Sequence, residues 1–190
     1  MLAVADRSLV LVSGIPGAGK SRLLRGLRTT GPEPAVLDSD LVRERMEARL
    51  PAGTAYRWYR PLVHLCYRFQ VLLAMFGLVG PLVVHLPATG VFTRAAMLTV
   101  AVLALRRPYL IWLDVDPTEA RRGQFSRGRV LGERCFKRHA RRGTEFVRRL
   151  REGYRPPGWS GVLVLDRRQA GRGLVLAGNA HQRPDDTTLI

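Results

Sequence analysis

Residues 13–22 read Ser13-Gly14-Ile15-Pro16-Gly17-Ala18-Gly19-Lys20-Ser21-Arg22. The spacing Gly-x-x-x-x-Gly-Lys-Ser within this stretch is that of a phosphate-binding P-loop. The apolar run 8–12 precedes it, as a buried parallel strand would. Leucines at helical spacing follow it, and they predict a helix that runs through Arg28. A strand, a glycine-rich loop and a helix are the context that this motif requires.

The residue types of the loop suit the binding of a nucleoside triphosphate. Glycines allow consecutive backbone N–H groups to point at phosphate oxygens, and the N-terminus of the following helix adds positive potential. We expect Lys20 to contact the β- and γ-phosphates and the Ser21 hydroxyl to bind Mg²⁺. The residues expected to bind the nucleotide are Gly14, Ile15, Pro16, Gly17, Ala18, Gly19, Lys20, Ser21 and Arg22.

The chain is strongly basic. Its 190 residues suit one α/β domain, but the formal charge is +16 and the basic residues are almost all arginine. Two explanations stay open. The arginines either cover solvated faces, or they bind a polyanion such as nucleic acid.

The cysteines and the apolar stretches predict a cytoplasmic protein. Cys66 and Cys135 are far apart in sequence and in no metal-binding spacing, which favours free thiols over a disulfide. The N-terminus has no charged-then-apolar leader. The longest apolar stretch, 71–84, is short for a membrane span and is interrupted by Gly77, Gly80 and Pro81, so we expect no membrane partner.

Strand and helix patterns alternate along the chain. Beyond the first strand, strands are predicted at 35–37, 81–86, 109–115 and 161–166. Helices are predicted at 41–47, 56–75 and 94–106, with Pro61 in the first turn of the second, and a further helix follows an Asp116 cap and Pro117. The fold class is therefore α/β, with a five-stranded, mostly parallel sheet covered by helices on both faces and with the P-loop at the end of its first strand. We expect one domain over 1–190, with a tail at 168–190 whose last residues are frayed.

The second strand ends in a group that suits phosphoryl transfer to a hydroxyl. Its residues are Asp38, Asp40 and Arg43. A carboxylate can take the proton of the acceptor hydroxyl, and an arginine one helical turn later can neutralise nearby charge. The alternative is structural: one of the polar residues 38–40 caps a helix and Arg43 is solvated.

Together these motifs resemble the small P-loop kinases of the AAA_33 and zeta-toxin-like group, which includes polynucleotide 5′-hydroxyl kinases. The resemblance spans about residues 8–166 and includes Asp114-Val115-Asp116-Pro117 followed by Arg122 and Gln124-x-x-Arg127-Gly128-Arg129. It implies a P-loop NTPase fold and ATP as phosphoryl donor. It also implies Asp40 as the general base or as the residue that orients the acceptor hydroxyl. Asp38 would help to hold Mg²⁺ through water, and Arg43 would contact the acceptor. Arg122 and Arg127 would belong to an arginine-rich lid, 117–152.

The sequence departs from the family pattern at the third strand. That strand ends in Val84-His85-Leu86, where an acidic residue is usual. His85 either orients water or the acceptor, or is a hydrogen-bonded core histidine. No motif for contact with adenine is recognisable. His139 in the lid fits a solvated helix face.

Helical residues between the second and third strands, in the insertion 41–80, are expected to form the acceptor pocket. They combine aromatic, basic and histidine side chains: Arg57, Trp58, Arg60, His64 and Tyr67. These types suit a flat or phosphorylated acceptor, although an amphipathic helix with aromatics in the core fits equally well.

Three functions follow. The first is an ATP- and Mg²⁺-dependent kinase for a small-molecule or nucleotide-like hydroxyl acceptor. The second is a polynucleotide 5′-hydroxyl kinase, and the third is an NTP-switched nucleic-acid-binding module without kinase activity.

Overall fold

The computed structural model describes residues 1–51, 53–126 and 130–178. The strands in these ranges are β1 (Leu2–Val4), β2 (Ser8–Gly14), β3 (Leu27–Thr29), β4 (Ala35–Leu37), β5 (Leu82–His85), β6 (Arg107–Asp114), β7 (Gly161–Asp166) and β8 (Leu174–Gly178). The helices are α1 (Lys20–Arg25), α2 (Ser39–Glu47), α3 (Tyr56–Gly77), α4 (Val91–Leu103), α5 (Pro117–Phe125), α6 (Glu133–Arg151) and α7 (Arg167–Gly171).

The predicted sheet is confirmed. Its five strands are all parallel and lie in the order β4-β5-β2-β6-β7. Every residue of the central strand β2 is buried, which explains the apolar run 9–12 at its centre. Because the strands are parallel, their carboxyl ends meet at one edge, and Gly14, Leu37, His85 and Asp114 all end there. This edge carries the P-loop, as a doubly wound sheet predicts.

Alternation along β2 divides the core between the two faces of the sheet. Leu9 and Leu11 pack with α3, α4 and α6, and Val10 and Val12 pack with α1, the start of α6 and the small strands. Trp112 and Phe146 meet edge to face at 4.9 Å within the first cluster. Helices therefore pack on both faces of the sheet.

A second sheet, in the order β1-β8-β3, was not predicted. The leucine spacing suggested a helix through Arg28, but α1 ends at Arg25 and the chain turns at Gly26 into β3. The Gly26 carbonyl lies 2.8 Å from the place where a Cβ of Gly173 would be, so the turn closes against a glycine just before β8. The expected tail thus contains a helix and a strand, at least as far as Gly178; the residues beyond it lie outside the described ranges.

Helix boundaries also differ from the prediction. Pro61 lies inside α3, and not in its first turn. α4 begins and ends three residues early, and Arg106 lies beyond it with a buried guanidinium that donates hydrogen bonds to the carbonyls of Met75 and Gly80. Cys66 and Cys135 are free thiols, as predicted. Among the described helices, none combines the length and the hydropathy that crossing a bilayer requires.

Candidate functional site

The side chain of Lys20 is hydrogen-bonded to the backbone of the P-loop. Nζ of Lys20 donates to the carbonyls of Gly14 and Ile15, each at 3.0 Å, and the side chain is buried. Gly19 caps α1 with a φ of 95°, a left-handed conformation that favours glycine. The backbone therefore has the curved path of an anion-binding loop, and α1 directs its N-terminus into it.

Helix α5 packs directly against the P-loop. A Cβ on Gly17 would come within 2.0 Å of the carbonyl oxygen of Ala120, and Gly17 also has a φ of 93°, so both space and conformation require glycine here. Nε2 of Gln124 donates to the Pro16 carbonyl at 2.9 Å, and its Oε1 accepts from the N–H of Leu131 at 2.9 Å. One buried side chain thus links the P-loop to the chain beyond the first lid helix.

Two carboxylates reach the P-loop from the end of β4. The Ser21 hydroxyl donates to Oδ2 of Asp40 at 3.2 Å. Oδ1 of Asp38 accepts from the N–H of Asp40 at 3.0 Å, which makes Asp38 the N-cap of α2. Both the capping interpretation and the placement of the carboxylates beside the loop therefore apply.

His85 is the partner of Asp38. Its Nδ1 lies 2.7 Å from Oδ1 of Asp38, and the imidazole is buried at the end of β5. The hydroxyl of Tyr67 donates to the carbonyls of His85 and Leu37, at 2.7 and 2.9 Å, and so joins the ends of β5 and β4. The end of β5, where the family usually has an acidic residue, thus carries a histidine that orients the carboxylate of Asp38.

The electrostatics of these groups follow from their contacts. Burial opposes the ionisation of Asp38, but the hydrogen bond and charge of His85, with the Asp40 N–H and the Ser21 hydroxyl, lower its pKa below the ordinary 3.8. Burial and the charge of Asp38 raise the pKa of Tyr67, so its phenol stays protonated. The side chains around Ser21 therefore present charged oxygen donors, the ligand type that Mg²⁺ prefers.

A cavity of about 190 Å³ lies between the P-loop, β5 and α3. Its lining includes Lys20, Ser21, Asp40, His64 and His85. Nε of Arg60 donates to Nε2 of His64 at 3.3 Å, which requires a neutral imidazole. Burial, together with the charges of Arg60 and Arg68, lowers the pKa of His64 and favours that neutral form.

Helix α6 places His139 close to the P-loop lysine and to Arg60 of α3. Nδ1 of His139 lies 2.6 Å from the Thr89 hydroxyl. Burial lowers the pKa of His139, and so do the charges of Arg138, Arg142, Lys20 and Arg60. These cations come from α6, the P-loop and α3, so positive charge reaches His139 from three elements. Lys20 is the one among them that the described lining of the first cavity includes.

A second cavity, of about 400 Å³, lies on the other side of the loop. It is bounded by the loop glycines, α1 and the C-terminal helix α7, with Arg22, Arg25, Ser126, Arg167 and Gly171 in its lining. Neither Arg167 nor Gly171 is among the residues predicted to bind the nucleotide, and Gly171 belongs to the expected tail, 168–190. The signal for them was their place directly after β7, whose carboxyl end lies at the P-loop edge.

Several predicted site residues lie away from the first cavity. Arg43 forms an ion pair with Glu47 at 3.6 Å and lies 5.8 Å from the ring centre of Tyr56, while its Nε has no hydrogen-bond partner among the described residues. Trp58 is 73% exposed with Arg57 stacked on its ring. Of the aromatic and basic residues on α3, the described lining of the first cavity includes only His64 and Tyr67.

Tyr67 does not present a ring face for stacking, because it is buried under the strand ends. Arg122 is exposed on α5, and the described residues that line the two cavities do not include it. Arg127 falls outside the described ranges. Gln124 was quoted within the lid motif but not recognised as a P-loop contact, because its link to Pro16 joins residues far apart in sequence.

Comparison with known proteins identifies the family and the fold. The sequence profile of the AAA_33 family, described as an AAA domain, matches residues 9–154. No curated protein sequence matches the chain.

Solved structures share the fold at low sequence identity. A provisionally assigned kinase from Chloroflexus aurantiacus is 17% identical, covers 85% of both chains and has a TM-score of 0.54. A structure from the PezAT toxin–antitoxin system of Streptococcus pneumoniae is 12% identical, covers 86% of this chain and 70% of its own, and has a TM-score of 0.56. Chaetomium thermophilum Kti12, solved with ADP-AlF3, is 15% identical, covers 85% of this chain and 93% of its own, and has a TM-score of 0.50.

Proposed function

Because the chain belongs to the AAA_33 family, we propose that it is a phosphotransferase that moves the γ-phosphate of ATP to a hydroxyl of a small, anionic acceptor. The observation that carries the proposal is the position of Asp40. Its carboxylate accepts a hydrogen bond from Ser21 of the P-loop and lines the same cavity as Lys20. A base and a phosphate-binding lysine on one cavity is the arrangement that direct transfer to a hydroxyl requires.

Each residue of the loop edge has a role in this proposal. Lys20 and the loop N–H groups hold the β- and γ-phosphates, and the second cavity, beside Arg22 and Arg167, receives the nucleoside. Mg²⁺, bound with the nucleotide by the Ser21 hydroxyl and the Asp38 carboxylate, would neutralise charge on the β- and γ-phosphates. His85 holds the Asp38 carboxylate in one orientation. Asp40 accepts the proton of the acceptor hydroxyl.

Charge and size describe the acceptor. The first cavity measures about 190 Å³, which suits a small molecule. Lys20 and His64 line it with hydrogen-bond donors. Further positive charge lies nearby, on Arg60 beside His64 and on Arg138 and Arg142 around His139. An acceptor that carries a phosphate, sulfate or carboxylate besides its hydroxyl would match these donors. The insertion 41–80 thus supplies one wall of the acceptor site, and the lid region 117–152 supplies the other.

A polynucleotide 5′-hydroxyl kinase is the second candidate. It is favoured by the exposed arginines of α6, among them Arg134, Arg138 and Arg141, which lie at helical spacing on one face. A single strand could follow this surface and present its terminal hydroxyl to Asp40.

Transfer of labelled γ-phosphate tests the proposal. Wild-type protein with Mg-ATP is offered nucleosides, nucleoside monophosphates, sugars, sugar phosphates and 5′-hydroxyl oligonucleotides. We expect label on a phosphorylated small molecule, with turnover lowered about 10²- to 10⁴-fold in Asp40→Asn. ATP binding by this variant, measured by calorimetry, should stay within a few-fold of wild type. Glu47→Gln, which changes an exposed acid on the same helix, is the matched control.

The other outcomes distinguish the candidates. Label on oligonucleotides, with a steep dependence on salt, supports the polynucleotide kinase. Slow hydrolysis that no acceptor accelerates, equal in wild type and Asp40→Asn, refutes both kinases and supports an NTP-switched module.

A further inference from the structure

The outer surface of α3 is apolar along its whole length. Its side chains are spaced four, three, four, three and four residues apart, which places them on one face of the helix. This outer α3 stripe consists of Trp58, Leu62, Leu65, Phe69, Leu72 and Phe76, all of them exposed. The opposite face, with Val63, Tyr67 and Val71, packs in the core. α3 is therefore apolar on two opposite sides, although only one side is covered in the monomer.

Helix α4 continues this surface. Val91, Phe92, Val102 and Leu103 are exposed on it. A groove of about 380 Å³ runs between the helices, and its lining includes Leu72, Phe92 and Met97 with Arg68 as the charged residue among those described. The outer α3 stripe and the exposed residues of α4 thus form one two-helix face.

The two helices also end together. Arg106, just after α4, donates to the carbonyls of Met75 and Leu78 at the end of α3. This clamp holds two exposed turns side by side, in which Val79 is 91% and Leu105 is 80% exposed. Apolar side chains therefore project from the end of the face as well as from its surface.

The charge of this region has one sign. The chain has no acidic residue between Glu47 and Asp114, whereas the same interval contains seven arginines: Arg49, Arg57, Arg60, Arg68, Arg94, Arg106 and Arg107. Arg57, Arg60, Arg68 and Arg107 are exposed, and the guanidinium of Arg57 stacks on the Trp58 ring at 5.3 Å. An occupant of this face must therefore combine apolar groups with negative charge.

We propose that the two-helix face binds the surface of a membrane rich in acidic lipids. A bilayer of this kind offers acyl chains to the stripe and anionic headgroups to the arginines, and it does so over the roughly 33 Å length of α3. Nucleic acid supplies the charge but not the apolar partner. A second copy of the chain supplies the apolar partner but adds another +16 of like charge.

This proposal departs from the expectation that the chain has no membrane partner. That expectation considered only whether an apolar stretch could cross a bilayer. A helix that lies on a membrane surface is recognised instead by an apolar stripe beside basic residues. In the sequence of α3, the residues of the outer stripe alternate with apolar residues that face the core. The membrane proposal does not depend on the kinase reaction.

Co-sedimentation with vesicles tests the proposal. The full chain is mixed with vesicles of phosphatidylcholine alone or of equal parts phosphatidylcholine and phosphatidylglycerol. We expect binding to the mixed vesicles, little binding to phosphatidylcholine alone, and a decrease with added salt. Phe69→Ser should weaken the partitioning about tenfold or more. Phe125→Ser is the matched control, because Phe69 and Phe125 are helical phenylalanines that are 61% and 60% exposed.

Fluorescence adds a local readout. Trp58 emission, taken as the difference between wild type and Trp58→Phe, should shift to the blue with the mixed vesicles. Circular dichroism should show that both serine variants fold as wild type does, since each substitution is on the surface.

Three results would overturn the proposal. The first is failure of the wild type to bind mixed vesicles. The second is equal binding by Phe69→Ser and Phe125→Ser, which would mean that net charge alone attracts the chain. The third is a dimer in light scattering that Phe69→Ser converts to a monomer while vesicles bind neither form, which would assign the face to a second copy.

Discussion

Nδ1 of His85 lies 2.7 Å from Oδ1 of Asp38, and this contact joins the ends of two adjacent strands beside the P-loop. The two side chains are only 10% and 13% exposed. A buried carboxylate needs such a partner, because burial alone would favour its protonated form. The pair thus keeps Asp38 charged at the position where we propose that it helps to bind Mg²⁺.

His85→Leu should destabilise the fold by about 3 kcal/mol at neutral pH, because it leaves the Asp38 carboxylate buried without its partner. Urea unfolding measures the loss. The double variant Asp38→Asn/His85→Leu is the control and should recover part of it, since it removes the buried charge but keeps an N-cap residue. Equal stability of wild type and His85→Leu would contradict the importance of the pair.

The same pair predicts the acid sensitivity. The pKa of Asp38 is lower in the folded than in the unfolded chain, so the pair stabilises the fold fully above the unfolded value of 3.8. That contribution is lost as the pH falls through the lower, folded pKa. In His85→Leu the pKa of Asp38 should rise. The protonation of Asp38 should then no longer lower the stability of the fold between pH 3.8 and the lower pKa that Asp38 has in the folded wild type. Thermal unfolding measured from pH 5 downward compares the two proteins.

Gly17→Ala should abolish nucleotide binding, because its Cβ would come within 2.0 Å of the Ala120 carbonyl and force the P-loop away from α5. Gly53→Ala is the matched control. Gly53 also has a positive φ, of 86°, but no atom within 4 Å of the added Cβ, so only conformational strain of about 1 kcal/mol is expected. Calorimetry with Mg-ATP checks binding, and equal affinity of Gly17→Ala and wild type would refute the steric argument.

Gln124→Glu should weaken nucleotide binding several-fold. A carboxylate can still accept from the Leu131 N–H, but it cannot donate to the Pro16 carbonyl, so one buried hydrogen bond is lost at a cost of about 1–3 kcal/mol. Amide hydrogen exchange at the P-loop and at Leu131 should separate the two contacts, with faster exchange expected mainly at the loop. Unchanged exchange at the loop would show that Gln124 does not support it.

Mild acid should destabilise the chain through its cavity histidines. The pKa values of His64 and His139 are lower in the folded chain than the ordinary 6.5, so their neutral forms contribute stability that is present above pH 6.5 and is lost as the pH falls toward the folded values. His139→Gln should reduce the slope of melting temperature against pH between about 5 and 7. An unchanged slope in this variant and in His64→Gln would contradict the prediction.

Local patterns in the sequence predicted the main sheet and the P-loop. The apolar run in residues 8–14 is typical of a buried parallel strand, and it forms β2. Asp116 caps α5 and Pro117 begins it, as predicted. The pattern at 23–27 failed because a leucine at helical spacing also fits a short strand, and the choice depends on β8, about 150 residues away.

Site residues followed the same division. The position of Asp38 and Asp40 beside the P-loop could be predicted, because the ends of parallel strands meet at one edge of a sheet. The side chains of α3 that face the pocket were harder to predict. Helical periodicity shows which residues share a face, but it does not show which face turns toward the pocket. Trp58 was therefore predicted in the pocket although it lies on the outer surface, and Tyr67 was predicted to stack although its hydroxyl joins two strands.

The sheet β1-β8-β3 has a consequence for how the chain acquires its structure during synthesis. Its middle strand, β8, is made last of the three, whereas β1 and β3 leave the ribosome early and have no pairing with each other. β3 follows α1 directly, so the end of the P-loop helix gains its neighbouring sheet only when residues 174–178 have emerged. A nascent chain that already contains the complete P-loop therefore acquires the sheet beside α1 only after β8 has been made.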